Sequence, residues 1–532
     1  MAQEKLSQTS YAPPNPPIFQ NSQLTSTTYL SKTPSWWTRF PWRLVGLVLL
    51  AGAVRSVALD RPLLGNFATK NVVLAMIARN WAEGRSPWWY PRVDVLIEGQ
   101  RGLHLLELPV GAYFVGALWR TFGGSLDLWG RTCSVVFYAA AVAVFFLWRR
   151  TRQSQQAALA GAAMLAFSPV GIIYGQSFLL EGSLLFFTVV GLACLDRYIG
   201  RGGWRWWGLS TVAWSLLLVS KLYLAVWLIP AGGILCFRGA DRTRKRWGWL
   251  ALGVALLPAA AWGLHVLQTT RPDHPLAPHV FDSLRKSTLV YRPPDPLLAS
   301  PEFYRQVLDD LAGVVLTPIG FAWMALGLVQ GGFRRDGIWL APILLLLLAL
   351  PRKFFEMNYY WTATLPAWCI LVGGGWERLT QGIKLSRWGR AIAWLVLLLF
   401  ALRYAVKPAF ITPEEDRPVP EVGKMIQKIT LPEEPVVTMH GSTVDLLYYC
   451  DRPGWAIRPD DPQLADRLRQ CQADGARWAV VVGRDGLAEQ LGPAAPPVYE
   501  EGKNYRIYRL DQWQKNPSQS DRSHRRSAQF FP

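Results

Sequence analysis

Glu181 and Lys221 each stand alone between long apolar runs, in Tyr174-Gly-Gln-Ser-Phe-Leu-Leu-Glu-Gly-Ser and in Val-Ser-Lys-Leu-Tyr. A charge in such a place must be paired or face a water-filled cavity, and it marks a functional site by default. The bland alternative is that the two simply neutralise each other. Further along, Arg352 and Lys353 precede Glu356, Tyr359 and Tyr360, so two adjacent cations sit beside aromatic rings. That combination suits a lipid phosphate, and equally suits an interfacial anchor. The remaining acids of interest fall in one long segment: Asp60, Glu83, Asp94, Glu98, Glu107 and Asp127. A positioned carboxylate can take the proton of an attacking hydroxyl, while Lys, Arg or a metal can receive a departing phosphate. Asp94 follows the aromatic run Trp88-Trp-Tyr-Pro-Arg-Val and is the first choice for such a base. Asp60, at the end of the first apolar run, is the second. Glu107, just before Pro109, pairs with His104 as a candidate divalent-metal site, although zinc-like ligand spacing is missing.

These residues need a membrane frame. Of 532 residues, 51% are hydrophobic, 27 are Trp and only 17% are charged, with apolar runs of spanning length. The net charge of +19 is concentrated in short loops such as Arg149/Arg150/Arg152, Arg238/Arg242/Arg244/Lys245/Arg246, Arg334/Arg335 and Arg378/Lys384/Arg387/Arg390. Such loops mark a cytoplasmic face and argue against nucleic acid as a partner. About eleven spans are expected, near 44–59, 131–148, 157–174, 180–196, 206–220, 222–237, 247–267, 311–330, 337–350, 359–375 and 389–406. The run 109–122 is read as a helix at the outer interface, because counting it as a span would invert every later basic loop.

The fold class expected is therefore an α-helical polytopic membrane protein with a small C-terminal extracytoplasmic α/β domain. Residues 1–43 read as a disordered cytoplasmic lead-in, 44–406 as the membrane domain with a first extracytoplasmic loop at 60–130, 407–511 as the α/β domain, and 512–532 as a disordered tail. In that domain Pro435–His440 and Arg477–Gly483 read as buried strands, Ser442–Cys450 and Pro462–Ala473 as helices, and Tyr505–Leu510 as a closing strand. Cys450 and Cys471 share it, so a disulfide between them is an open possibility.

Several short motifs, in order, resemble the polyprenyl-phosphate-sugar-dependent branch of the GT-C glycosyltransferases, closest to family 39-like bacterial members and akin to protein O-mannosyltransferases and lipid A aminoarabinose transferases. They are Ala75-Met-Ile-Ala-Arg-Asn80, Glu107-Leu-Pro109, Gly130-Arg131, Ser168-Pro169 through Glu181, Lys221, and Asn358-Tyr-Tyr-Trp-Thr-Ala-Thr-Leu-Pro366. The likeness spans roughly 44–406. It implies that Glu181, Tyr359 and Tyr360 bind the sugar donor, that Lys221, Arg352 and Lys353 take its phosphate, and that Glu107 holds a metal. One departure stands out. Where many relatives carry an acidic pair eight residues before Ala78-Arg79, this chain has Lys70 and Asn71. Either the base has moved, to Asp94, Asp60 or Glu107, or the chain is inactive.

The expected activity is transfer of a sugar from a polyprenyl-phosphate (undecaprenyl-like) donor, with inversion, to an extracytoplasmic hydroxyl of an envelope lipid, glycan or protein. The expected location is a bacterial inner membrane with the N-terminus cytoplasmic. A divalent metal is the one cofactor considered. Two rivals remain: a non-catalytic carrier or flippase for the same lipids, and a membrane assembly scaffold.

Overall fold

The computed structural model describes residues 42–65, 68–178, 181–281, 295–329, 336–382, 386–441 and 443–513. The lead-in up to residue 41, the tail beyond 513, and the basic positions Arg334, Arg335 and Lys384 lie outside the described residues.

Among the described residues, four helices are long and apolar enough to cross a membrane: Leu126–Arg149, Glu181–Arg201, Arg242–Thr269 and Arg387–Phe410. Pro301–Val315 and Thr317–Gly327, bent by 110°, add a fifth if they are one span. The expectation of eleven exceeds this because several expected spans are short or broken. Gln155–Phe167 has 13 residues, which is about 20 Å of helix against roughly 30 Å of hydrocarbon. Pro169 then starts a second short piece, Pro169–Tyr174. At the break the Ser168 N–H donates to the Met164 carbonyl and its own carbonyl accepts from the Ile172 N–H, so the backbone there is satisfied by protein, as membrane burial requires. Trp204–Ser220 stops in the same way at Lys221 before Ala225–Arg238 begins. The 110° bend falls on Thr317, whose φ of 62° is a left-handed conformation that costs a β-branched residue about 1–3 kcal/mol. The following Pro318 keeps it out of the helical region. Val110–Phe122, with 13 residues, is likewise too short to cross, in keeping with an interfacial helix.

The second part is one eight-stranded sheet in the order β3-β2-β1-β5-β4-β6-β8-β7. The first loop supplies β1 (Arg92–Ile97) and β2 (Gln100–His104), and a later loop supplies β3 (Val280–Phe281). The C-terminal segment supplies β4 (Val436–Met439), β5 (Gly454–Ala456), β6 (Trp478–Val482), β7 (Val498–Gly502) and β8 (Tyr505–Arg509). The two halves meet where Val95 pairs in parallel with Gly454. Only glycine fits there, since a Cβ would lie 1.9 Å from the Val436 carbonyl oxygen. The first loop is thus stitched to the C-terminal segment.

Alternation along the strands sorts the core into two faces. Val436, Val480, Val482 and Ile507 pack with Cys450 and the Ala68–Ala82 and Val419–Ile429 helices. Val437, Met439, Ala479 and Val481 pack with Cys471 and the Leu464–Ala473 helix. Cys450 and Cys471 therefore lie on opposite faces of the sheet, both buried and both free. The disulfide considered from the sequence does not form, because the sheet separates the two thiols.

Candidate functional site

The Glu181–Arg201 helix begins at Glu181 itself, and the Trp204–Ser220 helix ends one residue before Lys221. Both charges therefore sit at helix ends, where the chain can turn them into a common space. Gly182 lets the first of these helices press against the Leu126–Arg149 helix, since a Cβ there would meet the Ser134 carbonyl oxygen at 2.3 Å. The Lys221 ammonium donates to Glu181 Oε1 at 2.5 Å, with both side chains almost fully buried. The Lys221 ammonium also lies 4.9 Å from the Tyr359 ring centroid and 6.0 Å from that of Tyr360. Tyr359 and Tyr360 stack at 4.7 Å, and Tyr223 packs on Tyr360 at 4.9 Å. Behind them, the Tyr174 hydroxyl donates to Asn358 Oδ1 at 2.5 Å.

Two further charges face this centre. Glu107 is within electrostatic reach of both Glu181 and Lys221. Lys70, on the Ala68–Ala82 helix, is within reach of Glu181 and of His104. Neither Glu107 nor Lys70 has a hydrogen-bond or ion-pair partner among the described residues, and both are half-buried. Among the described residues, the site thus holds a neutralised pair together with a cation and a carboxylate that have no ion-pair partner. The structure brings Glu107, Glu181, Lys221, Tyr359 and Tyr360 together.

Asp94 is placed differently. It is fully buried, and both of its oxygens are occupied. Arg79 Nη2 donates to Oδ2 at 2.8 Å, while Asn80 Nδ2 and Arg101 Nε donate to Oδ1 at 3.1 and 3.2 Å. Arg79 also pairs with Asp451 at 3.1 Å and Arg101 with Glu433 at 2.9 Å. Burial works against the Arg79 charge, but Asp94 and Asp451 outweigh it and hold the guanidinium above its ordinary pKa. Asp94 is in this way the hub of an ion-pair network tying the first loop to the C-terminal segment. Asp60 is exposed just past the Trp42–Ser56 helix, within reach of Arg131, which donates to the carbonyls of Gln176 and Pro62. Asp127 accepts from the Tyr448 and Tyr449 hydroxyls at 2.6 and 2.7 Å. Arg352 is largely exposed and pairs with Asp295 at 2.8 Å. Lys353, half-buried, has no acidic partner among the described residues.

Among the described residues, no third His, Cys, Asp or Glu joins His104 and Glu107 in a metal-binding group. His104 is buried in β2 with Nδ1 unpartnered. Burial, and then the nearby Lys70 ammonium, lower its pKa to about 3 and keep it neutral. A neutral imidazole could ligate, but it is joined by one carboxylate and a cation. The residue the sequence reading did not place here is Lys70. Its signal was available as the basic replacement of an expected acid.

Residues 107–265 match the family model described as dolichyl-phosphate-mannose-protein mannosyltransferase. No curated protein matches the chain. Among solved structures, ArnT from Cupriavidus metallidurans bound to undecaprenyl phosphate has a TM-score of 0.59 at 15% identity. The match covers 89% of this chain and 98% of that one. The chain has the GT-C fold. The same ArnT in the apo state gives the same values. An oligosaccharyltransferase from Archaeoglobus fulgidus, AglB in complex with an inhibitory peptide and a dolichol-phosphate, has a TM-score of 0.47 at 11% identity, covering 84% of this chain and 70% of that one. The matched segment contains Glu107, Glu181 and Lys221, so the family likeness falls on this site.

Proposed function

We propose that the chain is a glycosyltransferase that moves a sugar from a polyprenyl-phosphate donor to a hydroxyl acceptor on the outer side of a bacterial inner membrane. The observation that carries this reading is the buried Glu181–Lys221 pair with Lys70 and Glu107, unpaired among the described residues, within electrostatic reach of it. The undecaprenyl phosphate bound by an ArnT of similar fold supports a lipid-phosphate donor.

In this account Lys221 is fixed by Glu181 and by the Tyr359 ring, and meets the sugar-phosphate junction from one side. Lys70 supplies the uncompensated positive charge for the phosphate, in the position where relatives carry an acid. Arg352 is committed to Asp295. Tyr359 and Tyr360 offer a stacked aromatic wall to the sugar. Glu107 takes the proton of the acceptor hydroxyl as its oxygen attacks the anomeric carbon. The bond from that carbon to the phosphate oxygen breaks, and its electron pair leaves on the phosphate. Direct displacement of this kind inverts the anomeric centre. Asp94, with both oxygens engaged, holds the loop in place, and Asp60 is the alternative base. No step is assigned to a metal.

The test is transfer by the purified full chain in nanodiscs, using a panel of undecaprenyl-phosphate sugars and envelope extract as acceptor. Lys70→Met should weaken turnover by roughly 10²–10³-fold, the scale for losing one positioned donor to developing charge. A carrier would bind these lipids and release no transferred sugar from any donor, and that result would overturn the reading.

A further inference from the structure

We propose that a groove at the opposite end of the membrane helices holds an anionic phospholipid of the surrounding bilayer. The groove has a volume of about 500 Å³ and lies between the C-terminal ends of the Leu126–Arg149 and Glu181–Arg201 helices. The second of these helices begins at Glu181, so the groove mouth at Arg197 and Arg201 lies roughly 24–30 Å along it from that residue. It is therefore remote from the Glu181–Lys221 centre and does not depend on the proposed transfer activity.

The body of the groove is apolar, walled by Val144, Leu147, Val190 and Ala193, and its mouth carries Arg152, Arg197 and Arg201. One of these cations is already neutralised. Asp196, buried in the floor, accepts from Arg152 Nε and Nη2 at 2.9 and 2.7 Å and from Trp148 Nε1 at 2.9 Å. Arg197 and Arg201 are exposed, and among the described residues neither has an acidic partner. Arg197 instead lies over the Trp206 ring at 4.4 Å, with Arg205 at 5.0 Å from the same ring. Beside it Trp204, Trp207 and Trp247 pack edge to face, with centroids 4.7 to 6.2 Å apart.

Tryptophan clusters of this kind settle at headgroup depth, which places the arginine mouth there and the apolar body against the hydrocarbon. A lipid seated in it lays an acyl chain along Val144 and Val190 and sets its phosphodiester against two guanidiniums that lack a counterion. An acidic headgroup is favoured because the mouth has a surplus of positive charge, and a zwitterionic headgroup gains less from it. Basic grooves between helices recognise lipid phosphates in this way.

The experiment is native mass spectrometry of the delipidated full chain, titrated with phosphatidylglycerol or phosphatidylcholine. The wild type should retain phosphatidylglycerol about tenfold more tightly. In Arg197→Ala/Arg201→Ala that preference should fall to about unity, with phosphatidylcholine retention unchanged. Ala193→Trp, which fills the body and leaves the arginines, should lower retention of both lipids. Should the double variant fold poorly, Arg201→Ala alone should still reduce the preference. Equal retention of the two lipids by the wild type would overturn the proposal. So would a preference that survives loss of both arginines, or a site that takes undecaprenyl phosphate in place of phosphatidylglycerol at equal concentration.

Discussion

His440 follows β4 and is held between two carboxylates: Asp445 Oδ1 at 2.7 Å on Nδ1 and Asp416 Oδ1 at 3.1 Å on Nε2. Asp445 begins a helix of the α/β part, whereas Asp416 lies in the segment that leaves the last membrane helix. Burial disfavours the imidazolium, but hydrogen bonds and charge from both acids outweigh it, raising the pKa to about 9 from 6.5. The side chain is only 10% exposed, so solvent screening is modest. A rise of this size is worth about 3 kcal/mol of stability. Because the folded pKa is the higher one, that stability is fully present below about 6.5 and is lost as pH climbs through about 9. Hydrogen–deuterium exchange of peptides covering 436–450 in the full chain measures it directly, after correction for intrinsic exchange. Wild-type protection should fall by about 3 kcal/mol between pH 6.5 and 9.5, and His440→Gln should be weaker at pH 6.5 and nearly flat. A wild-type profile without that fall, or an identical fall in His440→Gln, would refute the reasoning.

Three other outcomes follow from named contacts. Lys221→Met leaves Glu181 buried and unpaired, which should cost about 3–5 kcal/mol, and Lys221→Met/Glu181→Gln should recover most of it. Thermal midpoints in nanodiscs decide this, and additive losses would mean the pair is not coupled. Asp94→Asn removes one counter-charge each from Arg79 and Arg101, which keep Asp451 and Glu433, and should destabilise the first loop by about 1.5–3 kcal/mol, seen as faster proteolysis there. An Asp94→Asn protein that resists proteolysis like wild type yet transfers no sugar would return Asp94 to the role of base. Gly454→Val places a Cβ against the Val436 carbonyl and should cost about 1–3 kcal/mol, with faster exchange in β1, while wild-type exchange there would falsify the stitching of the two halves.

Much of this architecture was legible because each feature has a local cause. The buried strands β4 and β6, the helix ending at Ala473 and the strand β8 follow from alternation and helical periodicity, and all four appear close to their expected positions. Glu181 and Lys221 stand out in the sequence because a lone charge in an apolar run is costly, and the structure pairs the two. What escaped was long-range. The Val95–Gly454 pairing joins residues far apart in the chain, and no local pattern announces that β1 and β5 share a sheet. Asp94 looked available because its partners Arg79 and Arg101 arrive from a helix and from another strand. Lys70 was read only as a missing acid, since its nearness to Glu181 and His104 depends on how the Ala68–Ala82 helix packs. The thiols of Cys450 and Cys471 share a domain in sequence but are divided by the sheet in space.

In the proposed reaction Glu107 serves as the base while Asp94 serves the fold. The most direct test of this assignment is single-turnover sugar transfer, with donor binding measured separately, for wild type, Glu107→Gln and Asp60→Asn in nanodiscs. Glu107→Gln should bind undecaprenyl-phosphate sugar like wild type and transfer it about 10²–10⁴-fold more slowly, the scale for losing a general base. Asp60→Asn should retain most of the rate. Full transfer by Glu107→Gln, or a comparable collapse in Asp60→Asn with Glu107→Gln unaffected, would contradict the assignment.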